Sequence, residues 1–457
     1  MRGRLARIAA GAEPLRPPAH RAVGGAAEPL LRPAPGAVRE GAEPLLRPVR
    51  RAVRGGAEPL PRPVRRAVHE GVARIEAATP PGRDRALDGL RALAILGVVG
   101  GHWLVTALVA DSGTVRGASP LSAMPRLAPV SWAFQTLAVF FLVGGQVAAG
   151  SWASACRRGV PYGVWVGGRL ARLFRPVAVV VAVWTLAAAV MLAAGVGAAT
   201  VRTLAKLVWS PLWFLLVFAV LTALTPLVAR LHPLWPLVVV LHVDLVRLGL
   251  GGPDELGWIN VVAGWLTPYC LGSLVARGGL RGRTVRWGLL LGGASAAAGL
   301  VLWAGYPASM VGVPGGRMSN LDPPSLAAVV FGLAQCGAAL LLLGPLRRAL
   351  RRPALWAAVA VVNLAAMTVF LWHQTAMIIV TASALLLAGV PLPGLHTVPD
   401  GPGWVVARLF WLPVFALALA GCWAAFRGHE QGGRRTGGAS LLVRESAPGR
   451  KGWARRA

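Results

Sequence analysis

The sequence predicts an all-α, polytopic membrane protein: a bundle of about ten transmembrane helices between two basic tails. Three observations support this. Mean hydropathy is +0.60, and only 14% of the 457 residues are charged, whereas a soluble domain carries about 25%. Apolar segments near the ~20 residues that a span needs follow one another between about residues 88 and 426. The basic residues behind the net charge of +30 lie in tails and short loops, as membrane orientation requires, so we expect a lipid bilayer and no nucleic acid as partner.

Residues 1–82 are predicted to form a disordered basic tail. Within residues 11–70 a 15-residue unit recurs, marked by the evenly spaced glutamates Glu13, Glu28, Glu43 and Glu58. Two prolines in each unit oppose a continuous helix, and few large apolar side chains are available to bury. One interpretation is contact with anionic lipid headgroups; the other is an expanded DNA repeat or a start codon placed too early. Residues 428–457, rich in Gly and Arg, are predicted to form a second disordered tail.

The predicted membrane domain covers residues 83–427. Its apolar segments lie at about 89–110, 130–150, 176–197, 211–230, 233–250, 257–276, 285–304, 324–344, 356–388 and 404–426. The fourth and fifth are close enough in sequence to form a tight helical hairpin. The ninth is too long for one span, so we expect an interruption before Phe370.

Arginines alternate between successive loops and predict the orientation of the bundle. The loops after the second, sixth and eighth spans are arginine-rich, and the loops between them are poorer. Positive charge marks the cytoplasmic side, so both termini are expected in the cytoplasm, which an even number of spans also requires. Only two lysines are present, and Ala, Gly, Val and Pro are abundant. This composition is typical of a high-GC bacterial genome, and we therefore expect a bacterial cytoplasmic membrane. The sequence carries no signal of oligomeric state.

Ionisable residues inside spans are rare and tend to be functional, and the first span contains Arg91 and His102. Eleven residues correspond to about 16 Å of helical rise and three turns plus roughly 20°, so the two side chains share a face. We expect Arg91 near the cytoplasmic surface and His102 well inside the bilayer. Histidine can accept and return a proton near neutral pH, and arginine pairs with phosphate or carboxylate. The alternative is that Arg91 anchors the helix and His102 bonds to a neighbouring helix.

Two further groups of residues are candidates for binding. Arg169 and Arg172 are three residues apart on a helix and could hold a phosphate-rich ligand; a loop that only sets orientation is the alternative. His373, which follows Trp372, could belong to a site or could make a structural contact between helices. No Cys/His cluster with metal-ligand spacing is present, so we expect no metal and no bound cofactor.

Two other features have structural interpretations. Asp244 and Arg247, one turn apart, suggest an internal ion pair. The turn-rich segment 306–324 could shape an entrance to the site.

Four segments together resemble the membrane acyltransferase family 3. The run from Arg85 to Trp103 is similar to that family's first helix, including its Arg-x10-His motif, and Arg169-Leu-Ala-Arg172 matches its R-x-x-R motif. Ser210-Pro-Leu-Trp213-Phe-Leu resembles its fourth-helix signature, and Phe370-Leu-Trp-His373 resembles its Tyr-Leu-Trp-His segment, with phenylalanine in place of tyrosine.

The resemblance implies an acyltransferase that moves an acyl group, acetyl in the first instance, from acyl-CoA to a hydroxyl of a carbohydrate, lipid or secondary metabolite. It implies that His102 is catalytic and Arg91 its partner, and that Arg169 and Arg172 hold the donor. Trp213, Trp372 and His373 would contact substrate. After Trp213 this chain lacks the acidic residues of many sugar-modifying members. A transporter or lipid exporter, with helices broken near Pro211 and Pro268, and a non-catalytic membrane scaffold are the alternatives.

Overall fold

The structure is a computed structural model that describes residues 62–111, 113–313 and 318–431. The chain divides into two units, Met1–Leu60 and Pro61–Ala457, and the described residues all belong to the second. Most of the 15-residue repeat and the predicted tail after residue 431 therefore lie outside the described residues.

The described residues form a bundle of α-helices, which confirms the predicted fold class. Nine helical segments of the described chain are long and apolar enough to cross a membrane: Arg85–Val105, Pro125–Arg157, Tyr162–Ala193, Ala198–Ala223, Asp254–Ala276, Arg283–Trp303, Leu326–Ala349, Ala366–Ala388 and Pro402–Gly428. They correspond in order to nine of the ten predicted spans.

The remaining predicted span, residues 233–250, is shorter than the others. It consists of the 11-residue helix Leu234–Asp244 and a five-residue π-helical segment, Leu245–Gly249. The chain from Ala223 to Asp244 nevertheless runs from one end of the helix bundle to the other. Ala223 accepts a hydrogen bond from Tyr162 at one end, and Asp244 accepts one from the backbone N–H of Leu326 at the other.

The α-helices are numbered in chain order. The first eight are α1 (Arg62–Ala77), α2 (Arg85–Val105), α3 (Pro120–Ala123), α4 (Ser131–Phe134), α5 (Leu137–Arg157), α6 (Tyr162–Ala193), α7 (Ala198–Trp209) and α8 (Leu212–Ala223). They are followed by α9 (Thr225–Val228), α10 (Leu234–Asp244), α11 (Ile259–Ala276), α12 (Arg283–Trp303), α13 (Leu326–Ala349), α14 (Pro353–Leu364), α15 (Ala366–Ala388) and α16 (Pro402–Gln431).

Two spans are broken, and a third that contains proline is not. The break between α7 and α8 falls at Pro211, whose missing N–H and fixed φ favour a new helix start. The predicted interruption of the ninth segment is also present, at Ala365 between α14 and α15. By contrast α11 continues through Pro268, so the broken helix expected there is absent.

A β-hairpin and three short helical turns connect α2 to α5. The predicted first span, 89–110, extends too far, because α2 ends at Val105 and residues 107–110 belong to a strand. Strands β1 (Ala107–Asp111) and β2 (Thr114–Ala118) pair antiparallel. The 3-10 segment Pro125–Val130 lies between α3 and α4. Ala110 donates its N–H to the carbonyl of His396, so the hairpin is joined to the segment between α15 and α16.

Two pairs of helices pack closely at glycines. A Cβ at Gly145 of α5 or at Gly272 of α11 would overlap the backbone of the other helix, and Gly293 of α12 and Gly337 of α13 face each other's helix in the same way. Small residues let helix backbones approach without a large hydrophobic driving force in lipid.

Helix α1 corrects the predicted boundary of the N-terminal tail. Residues 62–77 fall within the segment 1–82 that was expected to be disordered, and they are helical. Pro63 is at the start, where a proline's missing N–H costs nothing. Beyond α1, Arg85 forms an ion pair with Glu76 at 2.6 Å, and Trp356 donates its indole N–H to Thr79. At the other terminus α16 continues to Gln431, past the predicted limit of the membrane domain.

The two ends of the bundle differ in charge. One end, called here the arginine end, contains the start of α2, the start of α6 and the end of α13, where Arg347 pairs with Asp84 at 2.7 Å. The other, called the opposite end, contains the starts of α11 and α13. Trp372, near the start of α15, stacks on Phe426 of α16. The last described helix therefore finishes at the arginine end, where α2 begins.

Candidate active site

Arg91 is held at the arginine end by Asn363. The Nε of Arg91 donates to Asn363 Oδ1 at 2.6 Å, and the Nδ2 of Asn363 donates to the carbonyls of Asp88 at 2.7 Å and Val359 at 3.0 Å. Asn363 therefore joins α2 to α14 and fixes the direction of the guanidinium. Among the described residues, no carboxylate lies within ion-pair distance of Arg91, so its charge is available to a ligand.

Four arginines line one cavity of about 760 Å³: Arg91, Arg169, Arg172 and Arg175. No described lining residue carries a carboxylate. Four phenylalanine rings, from Phe140, Phe214, Phe218 and Phe370, form much of the remaining wall. This cavity, the arginine cavity, concentrates positive charge beside an aromatic surface. An anionic group with an apolar extension has the matching chemistry.

Arg169 and Arg172 line this cavity together, as their three-residue spacing predicted. The guanidinium of Arg169 lies 5.2 Å from the ring centre of Trp165, and its buried Nε has no hydrogen-bond partner among the described residues. Arg172 is exposed and donates from Nε to the carbonyl of Gly168 at 2.9 Å. An unpaired buried donor is costly unless a ligand satisfies it.

His102 lines a second cavity, of about 580 Å³, which we call the histidine cavity. The sequence placed His102 well inside the bilayer, about 16 Å of helical rise from Arg91. Helix α2 ends at Val105, so His102 lies in its last turn. Its neighbour His373 is in the first half of α15, which continues to Ala388, so His102 lies between the two ends of the bundle. Although Arg91 and His102 share a helix face approximately, the rise between them places them in different cavities.

The two cavities lie back to back. Ile95 and Val98, one turn apart on α2, line the arginine cavity and the histidine cavity respectively. Helix α8 repeats the pattern with the neighbours Phe214 and Trp213. The two cavities therefore adjoin one another at α2 and at α8.

Gln374 and His373 surround the His102 imidazole. The carboxamide nitrogen of Gln374 lies 3.2 Å from His102 Nδ1, and the ring centres of His102 and His373 are 5.1 Å apart. The Nδ1 of His373 is 2.6 Å from the carbonyl of Phe370. Because a carbonyl only accepts, this nitrogen carries the proton. The buried Nε2 of His373 has no partner among the described residues. The structure thus places His373 beside His102, although His373 lines neither of the two cavities.

The last turn of α2 is held from the other side by Arg408. This side chain is 1% exposed and donates to the carbonyls of Trp103 at 2.7 Å, Thr106 at 2.6 Å and Gly394 at 2.9 Å. Trp103 in turn donates its indole N–H to the carbonyl of His373 at 2.9 Å. Arg408 therefore satisfies carbonyls that the end of a helix leaves unpaired, directly beside His102.

Neither Gln374 nor Arg408 was among the residues predicted from sequence. A signal for both was present, since each is a polar side chain within a span. Their partners are 272 and 305 residues away in the chain, and no local pattern indicates such pairs.

The two tryptophans proposed as substrate contacts have different surroundings. Trp213 lines the histidine cavity, and its ring centre lies 6.2 Å from that of Trp265. Trp372 is 3% exposed and stacks on Phe426 with ring centres 3.8 Å apart and planes at 11°. It lines neither cavity, and its contact joins α15 to α16.

The segment 306–324 contributes to the histidine cavity, as expected, through Val311, Gly312 and the stretch from Ser319 to Asp322; residues 314–317 lie outside the described residues. The expected Asp244–Arg247 pair is replaced by other contacts. Buried Asp244 accepts from Asn260 at 2.8 Å and from Leu326 N at 2.6 Å, whereas Arg247 pairs with Asp254 at 3.0 Å.

Tyr306, just after α12, also donates to Asp244, at 2.9 Å. Burial, reinforced by the neighbouring Asp244 carboxylate, raises the pKa of the Tyr306 hydroxyl. It remains a hydrogen-bond donor at neutral pH, so the start of the segment stays fixed.

Within the described residues, no group of three His, Cys, Asp or Glu side chains is arranged to hold a metal ion. No curated protein and no solved structure matches the chain. The model of acyltransferase family 3, described as an acyltransferase domain, matches residues 84–427. Because this match covers well over half of the 457 residues, the chain belongs to that family and is an acyltransferase.

Proposed function

We propose that this membrane acyltransferase is an O-acyltransferase that takes an acyl group, acetyl in the simplest case, from a coenzyme A thioester and transfers it to a hydroxyl group. The acceptor hydroxyl belongs to a carbohydrate, a lipid or a secondary metabolite. The observation that carries this proposal is the arrangement of the two cavities, with four arginines in one and His102 in the other. Family membership favours this activity over the transporter and scaffold alternatives.

The arginine cavity is assigned to the donor. Coenzyme A carries a diphosphate and a further phosphate, and guanidinium groups bind phosphate oxygens through charge-assisted hydrogen bonds. Arg169 offers a buried Nε donor without a partner among the described residues, Arg172 lies one turn away, and Arg91 is held in place by Asn363. The pantetheine arm, through its methyl and methylene groups, and the acyl group would lie along the phenylalanine rings. This places the thioester towards the segments of α2 and α8 that border both cavities.

His102 is assigned as the general base. Its Nε2 takes the proton from the acceptor hydroxyl, whose oxygen forms a bond to the thioester carbonyl carbon. The carbon–sulfur bond then breaks, and the imidazolium returns the proton to the leaving thiolate. The alternative route has two steps, in which His102 Nε2 first carries the acyl group and the hydroxyl then attacks it. Both routes need Nε2 without its proton.

Gln374 is assigned as the residue that keeps His102 in this tautomer. For Nε2 to be free, Nδ1 must carry the proton and donate to an acceptor. The carboxamide of Gln374 lies at Nδ1, and its oxygen has no hydrogen-bond partner among the described residues. A rotation of the amide by 180° places that oxygen at Nδ1, where it accepts the imidazole N–H. Asp plays the same part for the histidine of serine proteases.

We place the protein in a bacterial cytoplasmic membrane with both termini in the cytoplasm. The support is the concentration of arginine at the end of the bundle where α2 begins and α16 finishes. In this orientation the arginine cavity faces the cytoplasm, where coenzyme A thioesters are made. The acyl group would then pass towards the other side of the membrane.

The decisive experiment substitutes His102 and measures release of the coenzyme A thiol by purified full-length protein in lipid nanodiscs. His102→Ala and His102→Gln are expected to lower the rate by about 10²- to 10⁴-fold, the contribution of a positioned base. His242→Gln is the matched control, because His242 is an exposed histidine on α10 that bonds only within its own helix. Normal rates in the His102 variants would refute the proposal.

Donor binding is tested separately. Arg169→Gln and Arg172→Gln are expected to raise the KM for acyl-CoA about tenfold each, through loss of a charge-assisted hydrogen bond. Arg281→Gln, a substitution of an arginine outside both cavities, serves as control. A KM that is unchanged in the first two variants would assign the donor to another surface.

A further inference from the structure

The histidine cavity opens sideways. Three of its lining residues are also exposed on the outside of the bundle: Trp213 is 37%, Leu216 59% and Trp258 64% exposed. Trp213 and Leu216 lie on α8, and Trp258 precedes the first residue of α11. The opening, called the lateral mouth, therefore lies between α8 and the start of α11.

The lateral mouth faces lipid. Both helices belong to segments long and apolar enough to cross a membrane, Ala198–Ala223 and Asp254–Ala276. On α8 the exposed side chains Trp213, Leu216 and Val220 follow one another at spacings of three and four, which is one stripe of a helix. A stripe of this kind on a spanning helix contacts hydrocarbon. A molecule entering between these helices comes from the bilayer.

The lining of the histidine cavity is apolar at the lateral mouth and polar further inside. The mouth is formed by Trp213, Leu216, Trp258 and Val261, and it offers a molecule apolar contacts. Deeper, on the wall shared with α4, lie His102 and Gln135. Gln135 is 8% exposed, and its Nε2 has no hydrogen-bond partner among the described residues. Gln135 lines the cavity, and a rotation of its side chain towards the cavity would let this unpaired donor bond to a ligand oxygen.

The charges of the lining restrict the head group. The one carboxylate among the described lining residues, Asp322, is on the exposed segment at the rim, and no Lys or Arg is found among them. The arginine cavity, by contrast, has four guanidinium groups. Among the described lining residues, a phosphate or carboxylate head would find no Lys or Arg as a counter-charge. An uncharged, hydroxylated head matches the lining.

We infer that the histidine cavity binds an amphiphilic acceptor: an uncharged head group that bears hydroxyls, attached to a hydrocarbon tail that leaves through the lateral mouth into the bilayer. Gln135 donates a hydrogen bond to an oxygen of the head group and turns a hydroxyl towards His102. The inference rests on the proposed function for the role of His102, and it adds the class of acceptor and its route of entry.

The first test is independent of catalysis. Full-length protein in nanodiscs is irradiated with dodecyl glucoside that carries a diazirine in its alkyl chain, and the labelled peptides are identified. Labelling in the stretch that contains Trp213 and Leu216, and in that containing Trp258, is expected. An excess of unlabelled dodecyl glucoside should suppress it, whereas free glucose should not. Label spread evenly over lipid-facing residues such as Leu227 would overturn the inference.

The second test compares acceptors. Acyl transfer to dodecyl glucoside is expected to exceed transfer to glucose by at least about tenfold in kcat/KM. Leu216→Trp, which fills the mouth, should lower the value for dodecyl glucoside about tenfold, and Leu216→Ala should not. Leu227→Trp is the control, because Leu227 is 75% exposed and lines neither cavity. Matching unfolding temperatures for the Leu216 variants exclude misfolding as the cause.

The outcomes separate the two proposals. Equal use of glucose and dodecyl glucoside, with no effect of Leu216→Trp, would overturn the amphiphilic acceptor but keep the acyltransferase mechanism. The absence of turnover that depends on His102 would overturn the mechanism, and the labelling experiment would still decide whether an amphiphile enters the cavity. Gln135→Leu is expected to lower kcat/KM for dodecyl glucoside by about tenfold, the value of one hydrogen bond.

Discussion

Substitution of Gly293 by alanine should separate α12 from α13. A Cβ at Gly293 would lie 2.5 Å from the carbonyl oxygen of Val330 and 2.7 Å from the backbone nitrogen of Ala334. An ordinary contact between these atoms requires about 3.4 Å, so the helices must move apart by roughly 0.9 Å. Because both clashing atoms belong to the backbone, rotation of a side chain cannot relieve the overlap. Overpacking of this kind costs about 1–3 kcal/mol.

The matched control is the preceding residue. A Cβ at Gly292 would have nothing within 4 Å, so Gly292→Ala adds a methyl group without a clash. Alanine also has the higher helix propensity, by up to about 1 kcal/mol. The two variants differ by one position and are expected to change stability in opposite directions.

Thermal unfolding of purified protein in one detergent, followed by tryptophan fluorescence, measures the difference. We expect Gly293→Ala to lower the Tm by about 3–8 °C and Gly292→Ala to leave it unchanged or raise it slightly. Gly337→Ala should act like Gly293→Ala, since its Cβ would lie 2.5 Å from Leu290 N. Equal Tm values for Gly293→Ala and Gly292→Ala would refute the close approach of these helices.

Three further predictions concern the site and its support. Gln374→Leu should lower the rate of acyl transfer about 10- to 100-fold at unchanged Tm. Gln374→Glu keeps an acceptor at His102 Nδ1, so its rate should fall much less. Equal falls in rate for the two variants would contradict the tautomer argument. Arg408→Met leaves three buried carbonyls without donors and should lower the free energy of unfolding by about 2–4 kcal/mol, measured by unfolding in detergent; a wild-type stability would show that the carbonyls find other partners. His396 accepts from Leu392 N–H and contacts the carbonyl of Thr381, and its burial lowers its pKa. The unfolded chain therefore binds the extra proton first, so stability should be constant above about pH 6.5 and fall below it, and His396→Gln should flatten this dependence in pH-resolved thermal unfolding.

Parts of the site were predictable because they depend on local spacing. Because they are three residues apart on one helix, Arg169 and Arg172 share a helix face whatever the tertiary structure, and both line one cavity. The first helix was predicted at 89–110 and spans Arg85–Val105, with Arg91 in its first half. The position of His102 relative to a cavity was not predictable, because it depends on where α2 stops and on which helices pack around that end.

The residues that support His102 were missed for the same reason. Gln374 and Arg408 each resemble an ordinary polar residue in an apolar segment when read along the chain. Their importance comes from contacts with residues hundreds of positions away, such as the 305 residues between Arg408 and Trp103. Trp372 shows the reverse, since its place in a motif suggested a substrate contact and its ring stacks on Phe426 instead.

The sequence by itself determined that this protein crosses the membrane repeatedly, in which order its helices follow, and at which end its arginines gather. Hydropathy and loop charge act on each segment separately, through transfer into lipid, and so they can be read without a fold. The tertiary structure alone decided that Arg91 and His102 line two cavities, that Gln374 meets the imidazole and that exposed residues of α8 line the histidine cavity. These features arise from the packing of helices against one another, which in a bilayer depends on shape and on a few hydrogen bonds between distant residues and leaves little trace in local sequence.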